Sequence, residues 1–165
     1  MKRIKIEIKW AIVFFLVTLV WMLGERLFGL HDEHIDQHLV YTNFFAIPAI
    51  AVYVFALLDK RKNHYQGYMT YIQGFRCGII LTLLVTLLSP LAQILTSLWI
   101  TPHYFENAIQ FAVSENKMEE TEARNYFSLS NYIIQGVIGA PLMGLFTSLI
   151  VALFTRKEPK ILNSA

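Results

Sequence analysis

The run His31-Asp32-Glu33-His34-Ile35-Asp36-Gln37-His38 gathers three of the five histidines of this chain. On a helix, His31, His34 and His38 stand at i, i+3 and i+7, a spacing that can present imidazoles to Zn²⁺ or Cu²⁺. The spacing permits such a site without demanding one, because a segment joining two apolar runs outside a membrane must be polar anyway. It is therefore read as a solvated connector, and no metal and no cofactor is expected. Its imidazoles, titrating at about pH 6.5, would make it responsive to external pH.

Three further residues form a candidate polar pocket: Glu25, Arg26 and Gln93. Ionisable side chains at membrane depth are costly and are suspects for transport or proton relay. Glu25 and Arg26 are sequence neighbours, so on a helix they point about 100° apart and each needs a partner elsewhere. Gln93 follows Ser89 and Pro90 within an apolar run, where a side-chain amide commonly bonds a neighbouring helix or the carbonyl that proline frees. Anchoring at the interface and packing between helices are the leading readings of all three. The most regular pattern is Gly136, Ala140, Gly144, Ser148 and Ala152, small residues at strict i+4 spacing. Such a stripe lets two helix backbones approach closely, a principal source of association in lipid. It predicts a tightly packed helix from the same chain or from another subunit.

These residues must be positioned by elements that composition identifies. Hydrophobic residues make up 55% of the chain and charged ones only 16%, against roughly half and a quarter in soluble domains. The apolar residues come in long blocks. Four spans are expected at about 10–30, 42–58, 76–100 and 132–154, each near the twenty or so residues that cross a bilayer. They form an all-α four-helix membrane bundle, with residues 1–165 as a single domain. The first span is basic at its start and lacks a small-residue cleavage pattern, so it reads as uncleaved. Pro48 and Pro90 interrupt the second and third spans, and a bend is expected at Pro90. Residues 59–70, with Lys60, Arg61, Lys62, Asn63 and Gly67, read as a loop. A lone cysteine, Cys77, excludes a disulfide within the chain.

Orientation follows from lysine and arginine counts near span ends. One side collects eleven basic and three acidic residues, a formal +8, and the other three basic and nine acidic, a formal −6. Both termini are thus expected in the cytoplasm. Residues 101–131 then form a helical hairpin outside the membrane: Thr101 can cap a helix with Pro102 at its first position, Asn116 and Lys117 make a turn, and 118–126 form a second short helix.

The runs Gly29-Leu30-His31-Asp32-Glu33, Tyr65 to Tyr71 with Gln73-Gly74-Phe75, Ser89-Pro90-Leu91 and Thr101-Pro102-His103-Tyr104-Phe105 resemble, in order, a family of small bacterial membrane proteins. That family is domain-of-unknown-function family 4199. The resemblance implies a bacterial inner-membrane protein of about four spans and implies no activity. His103 stands where the resemblance leads one to expect an acidic residue.

The chain carries no phosphate-binding glycine loop, nucleophile elbow, zinc-protease helix or cysteine-histidine arrangement, so no enzyme is expected. Its basic clusters sit at span ends and give no support for nucleic-acid binding. The leading expectation is a non-catalytic membrane module, a subunit or scaffold acting through its bundle surface and outer hairpin. Its partners would be the lipid bilayer and another membrane protein, or itself as a homo-oligomer. The alternative is a small transporter or channel-like protein with a polar path near Glu25, Arg26 and Gln93.

Overall fold

The computed structural model describes residues 4–158. Lys2, Arg3 and Lys160 of the basic set, and the tail from 159 onward, lie outside the described residues. Helices α1 (Lys5–Leu27), α2 (Ile35–Tyr41), α3 (Ala46–Asn63), α4 (Tyr71–Leu95), α5 (Tyr104–Ser114), α6 (Glu120–Tyr126) and α7 (Leu129–Thr155) follow in order. A 3₁₀ turn, Thr42–Phe45, joins α2 to α3, and a π turn, Thr96–Ile100, extends α4. The four membrane-length stretches are Lys5–Leu27, Ile35–Asn63, Tyr71–Ile100 and Leu129–Thr155, with mean hydropathies of 1.8 to 2.2. Side chains that a soluble protein would hide face outward along them, among them Leu87, Leu142 and Phe154, as a lipid solvent allows.

Each span reaches beyond its apolar run. The first begins at Lys5, ahead of Trp10, and ends at Leu27 rather than Leu30. The second gains α2 at its start and runs on to Asn63, so the first part of the expected 59–70 loop is helical. There Lys60, Arg61 and Lys62 occupy the last turn, where positive charge suits the helix dipole. Pro48 accounts for the junction between α2 and α3. Its ring would clash with the carbonyl of Phe44 in a continuous α-helix, and the backbone tightens to a 3₁₀ turn over that stretch. At Pro90 the helix continues, and the Thr86 carbonyl that proline leaves without a donor accepts from Ser89 Oγ at 2.9 Å. Thr101 does not cap α5. Its amide and hydroxyl both return to the Thr96 carbonyl, closing the π turn, and His103 occupies the cap position of α5 instead.

Helix α4 is the organising element. It packs most extensively on α7 and also contacts α1 and α3, while α1–α3 and α3–α7 contacts complete the ring. Small residues zip α4 to α7. A Cβ at Gly74 would lie 3.4 Å from the Cβ of Ala152, and one at Gly78 would lie 2.5 Å from Ser148 Oγ. One at Gly144 would collide with Thr82 and stand 2.8 Å from the Tyr53 hydroxyl. The stripe of α7 thus meets a second small-residue row on α4 over Gly144, Ser148 and Ala152. Towards the hairpin the helices separate: a Cβ at Gly136 would come no nearer than 3.8 Å to Ser89, and one at Gly139 would meet nothing within 4 Å.

The core sits in the terminal half, around Tyr53, Ala56, Leu57, Cys77, Leu81, Val151 and Ala152. Polar ties close that end. Lys60 pairs with Glu7 at 2.9 Å with both side chains buried, and Asp59 accepts from Lys9 at 2.6 Å and Trp10 at 2.7 Å. Arg61 donates to the last-turn carbonyl of Thr155 at 2.8 Å. An antiparallel bridge between Met69 and Lys157 ties the α3–α4 connection to the end of α7. Sequence reading did not foresee the buried Glu7–Lys60 pair, because both residues lie in stretches whose charges look like a solvated membrane flank.

Candidate functional site

At the hairpin end of the bundle, one turn of chain brings a glutamate and two histidines together. Helix α1 stops at a Schellman motif. Gly29 takes φ +71°, its amide bonds the Arg26 carbonyl, and the Leu30 amide bonds the Glu25 carbonyl, both at 3.0 Å. Leu30 is buried, the apolar contact that commonly accompanies this cap. Glycine is needed here, since left-handed backbone strains other residues. The reversal swings His31 back over the end of α1, and α2 then starts at Ile35, bringing His38 onto the same point one turn later.

Glu25, 3% exposed, and His31, 4% exposed, are both buried inside the hairpin end. Trp21 Nε1 donates to Glu25 Oε1 at 2.6 Å, one turn away on the same helix. The second oxygen, Oε2, faces His31 Nε2 at 3.1 Å and His38 Nε2 at 3.5 Å. Tyr104 of α5 lies against both imidazoles with ring centroids 5.1 Å away, the spacing that also separates the two imidazoles. Its hydroxyl stands 3.4 Å from His38 Nδ1 and 3.1 Å from the Tyr132 hydroxyl of α7. Asn107, also on α5, donates to the His31 carbonyl at 2.9 Å. The cluster therefore joins α1, α2, α5 and α7. Burial pushes the Tyr104 phenol well above its ordinary value of 10.0, and the neighbouring Tyr132 adds to that shift. Two buried nitrogens, His31 Nδ1 and His38 Nε2, make no hydrogen bond among the described residues.

Donor accounting constrains the contacts to Glu25. Glu25 as a carboxylate only accepts, so His31 Nε2 and Trp21 Nε1 donate to it. His38 Nδ1 and the hydroxyls of Tyr104 and Tyr132 continue the chain, each hydroxyl able to donate in either direction. Carboxylate oxygen and imidazole nitrogens are also metal donors, and one ligand atom from each of Glu25, His31 and His38 lies within 4.8 Å of the others.

The expected helical face of His31, His34 and His38 does not form. His31 lies in the turn before α2, and His34 is an exposed residue at the start of that helix. The expectation of a solvated connector is corrected for His31, because the Gly29 reversal folds this part of the segment inward. The polar pocket of Glu25, Arg26 and Gln93 is not assembled either. Arg26 is exposed, and Gln93 donates along its own helix to Ser97 Oγ at 3.1 Å. Gln93 lines a separate cleft of about 460 Å³ among the four spans, bounded mainly by apolar groups such as Phe14, Met22, Leu88 and Met143. Glu25 instead borders a groove of about 1030 Å³ between α1 and the α2–α3 stretch, walled by Val17, Val20, Phe44 and Pro48. Of the packing stripe, Gly144, Ser148 and Ala152 are buried against α4, whereas Gly136 and Ala140 line the 460 Å³ cleft. Sequence reading missed Tyr104, Asn107 and Tyr132 as site residues. Tyr104 passes for one more apolar residue of an amphipathic helix. The glycine followed by an apolar residue after Arg26 was the available signal for the reversal.

Four helices among the described residues, each long and apolar enough to cross a bilayer, define a multi-pass membrane protein. The chain belongs to the DUF4199 family of proteins of unknown function, whose model matches residues 9–157. No curated protein and no solved structure matches it.

Proposed function

We propose that this protein is a non-catalytic module of a bacterial inner membrane, a subunit or scaffold that acts through its bundle surface and its outer hairpin. One observation carries the reading. The buried ionisable residues of the spans are consumed in latches at the two ends of the bundle, Glu7 with Lys60 and Glu25 with the histidines, rather than arranged along a path. Glu25 is held by Trp21, His31 and His38, which connect through Tyr104 to α5, and Gln93 faces a different, mainly apolar cleft. A transporter needs polar stations across the bilayer, and between these two latches lie an apolar core and a mainly apolar cleft. The charge asymmetry supports cytoplasmic termini and an outer α5–α6 hairpin. The partner is another membrane protein or a second copy of this chain.

Two measurements test this. Photo-crosslinking side chains placed at Val113 on α5 and at Phe146 on α7, both exposed, should yield discrete adducts with a membrane protein in native membranes. Proteoliposome flux that disappears in Glu25→Gln would overturn the reading in favour of transport. For orientation, single cysteines at Glu120 and Asn63, introduced after Cys77 is replaced, should differ in intact cells. A membrane-impermeant thiol reagent should label position 120 and spare 63, and the reverse pattern would invert the topology.

A further inference from the structure

We infer that Glu25, His31 and His38 form a binding site for a divalent transition metal of the Zn²⁺ type. The inference stands apart from the module reading and rests on the distances from Glu25 to the two imidazoles and on the clustering of the three ligand atoms within 4.8 Å. Ligands about 2.0–2.1 Å from a tetrahedral zinc lie roughly 3.3 Å from one another. Glu25 Oε2 is 3.1 Å from His31 Nε2 and 3.5 Å from His38 Nε2. The second distance makes no hydrogen bond, and it leaves His38 Nε2 buried without a partner. An unpaired buried polar atom aimed at a carboxylate is costly. A shared cation answers that atom and the carboxylate charge together.

The surroundings of Glu25 and His38 are those of metal ligands. Metal-bound histidines usually donate their other ring N–H to an oxygen, and ligating carboxylates are held by further hydrogen bonds. With the cation on Nε2, His38 Nδ1 carries the proton and donates to Tyr104, 3.4 Å away, which then donates to Tyr132. Trp21 already fixes Glu25 Oε1 and leaves Oε2 free to coordinate. Asn107 holds the His31 backbone in place. Two imidazoles and one carboxylate suit Zn²⁺, whereas Mg²⁺ and Ca²⁺ prefer all-oxygen sets. Three protein ligands leave a fourth position for water. Such a cation would staple the end of α1 to the start of α2 directly beneath α5.

The test uses the full chain in detergent, purified on a tag without histidines, stripped with a chelator and titrated with Zn²⁺. One equivalent should bind per chain and survive gel filtration. Because loss of supporting groups alone weakens metal sites 10–100-fold, removal of a ligand in His38→Ala should lower the affinity at least about 100-fold. His34→Ala and His103→Ala should bind as the parent does. Zinc-edge X-ray absorption on the unaltered protein should show two imidazoles with oxygen ligands, a result that stands even where a variant fails to fold. No stoichiometric Zn²⁺, equal retention by His38→Ala, loss in His34→Ala, or a shell without imidazole would each overturn the site.

Discussion

Replacement of Gly144 by alanine adds one methyl group at the tightest crossing in the molecule. The new Cβ would sit 2.8 Å from the Tyr53 hydroxyl and within steric overlap of both branches of Thr82. None of these neighbours is free to retreat. Thr82 Oγ1 donates to the Gly78 carbonyl at 2.9 Å and accepts from the Tyr53 hydroxyl at 2.9 Å, and Gly78 is itself pressed against Ser148. Overpacking of a filled site costs about 1–3 kcal/mol, and displacement of the Tyr53–Thr82 hydrogen bond adds about 1 kcal/mol. Alanine recovers about 1 kcal/mol of helix propensity over glycine, so a net loss of about 1–3 kcal/mol is expected. Gly139, five residues earlier on α7, supplies the control, since its added Cβ meets nothing within 4 Å and only the propensity gain remains. Reversible unfolding in mixed micelles, followed by circular dichroism, should rank Gly139→Ala at or above the parent and Gly144→Ala clearly below it. Light scattering should show the same assembly size for all three, because the Gly144 contact lies within the chain. Equal stability of the two variants would refute the steric argument, and dissociation of an oligomer by Gly144→Ala would place the contact between subunits.

Lys60→Met should be among the most damaging single changes at the terminal end, since it strips the buried Glu7 carboxylate of its ion-pair partner at a cost of about 3–5 kcal/mol. The double variant Glu7→Gln with Lys60→Met should recover most of that loss, and a double-mutant cycle with no coupling would contradict the pair. Tyr104 has a folded-state pKa raised above 10.0 by burial, so its contribution is fully present below about pH 10 and is lost as pH rises beyond it. Alkaline unfolding should therefore begin near that pH, and Tyr104→Phe should flatten the pH dependence while lowering stability at neutral pH by about 1 kcal/mol for the lost hydrogen bonds. An unchanged alkaline profile in that variant would show that another group governs it.

The class of protein was legible in the sequence because lipid imposes a simple demand. A span needs some twenty apolar residues whatever it packs against, and four such runs stand out without any knowledge of tertiary contacts. The stripe from Gly136 to Ala152 was legible for a similar reason: i+4 spacing is a property of one helix alone. What it packs against was not, since Gly74, Gly78 and Thr82 become its counterpart only when α4 lies alongside. Span ends were blurred because capping and ion pairing, as at Gly29 and Lys60, extend or stop a helix without altering hydropathy. The candidate site was the least legible part. Helical periodicity groups residues by angle around a single axis, and it put His34 with His31 and His38 and set Glu25 beside Arg26. The Schellman turn at Gly29 breaks that axis, so Glu25 meets His31 across a reversal, while Tyr104 arrives from a helix far along the chain. Sequence alone determined the solvent, the spans and the surface that one helix offers another. Which polar groups share a buried volume was decided by tertiary structure, because that depends on where the chain turns back and on what its turns bring within about 3 Å.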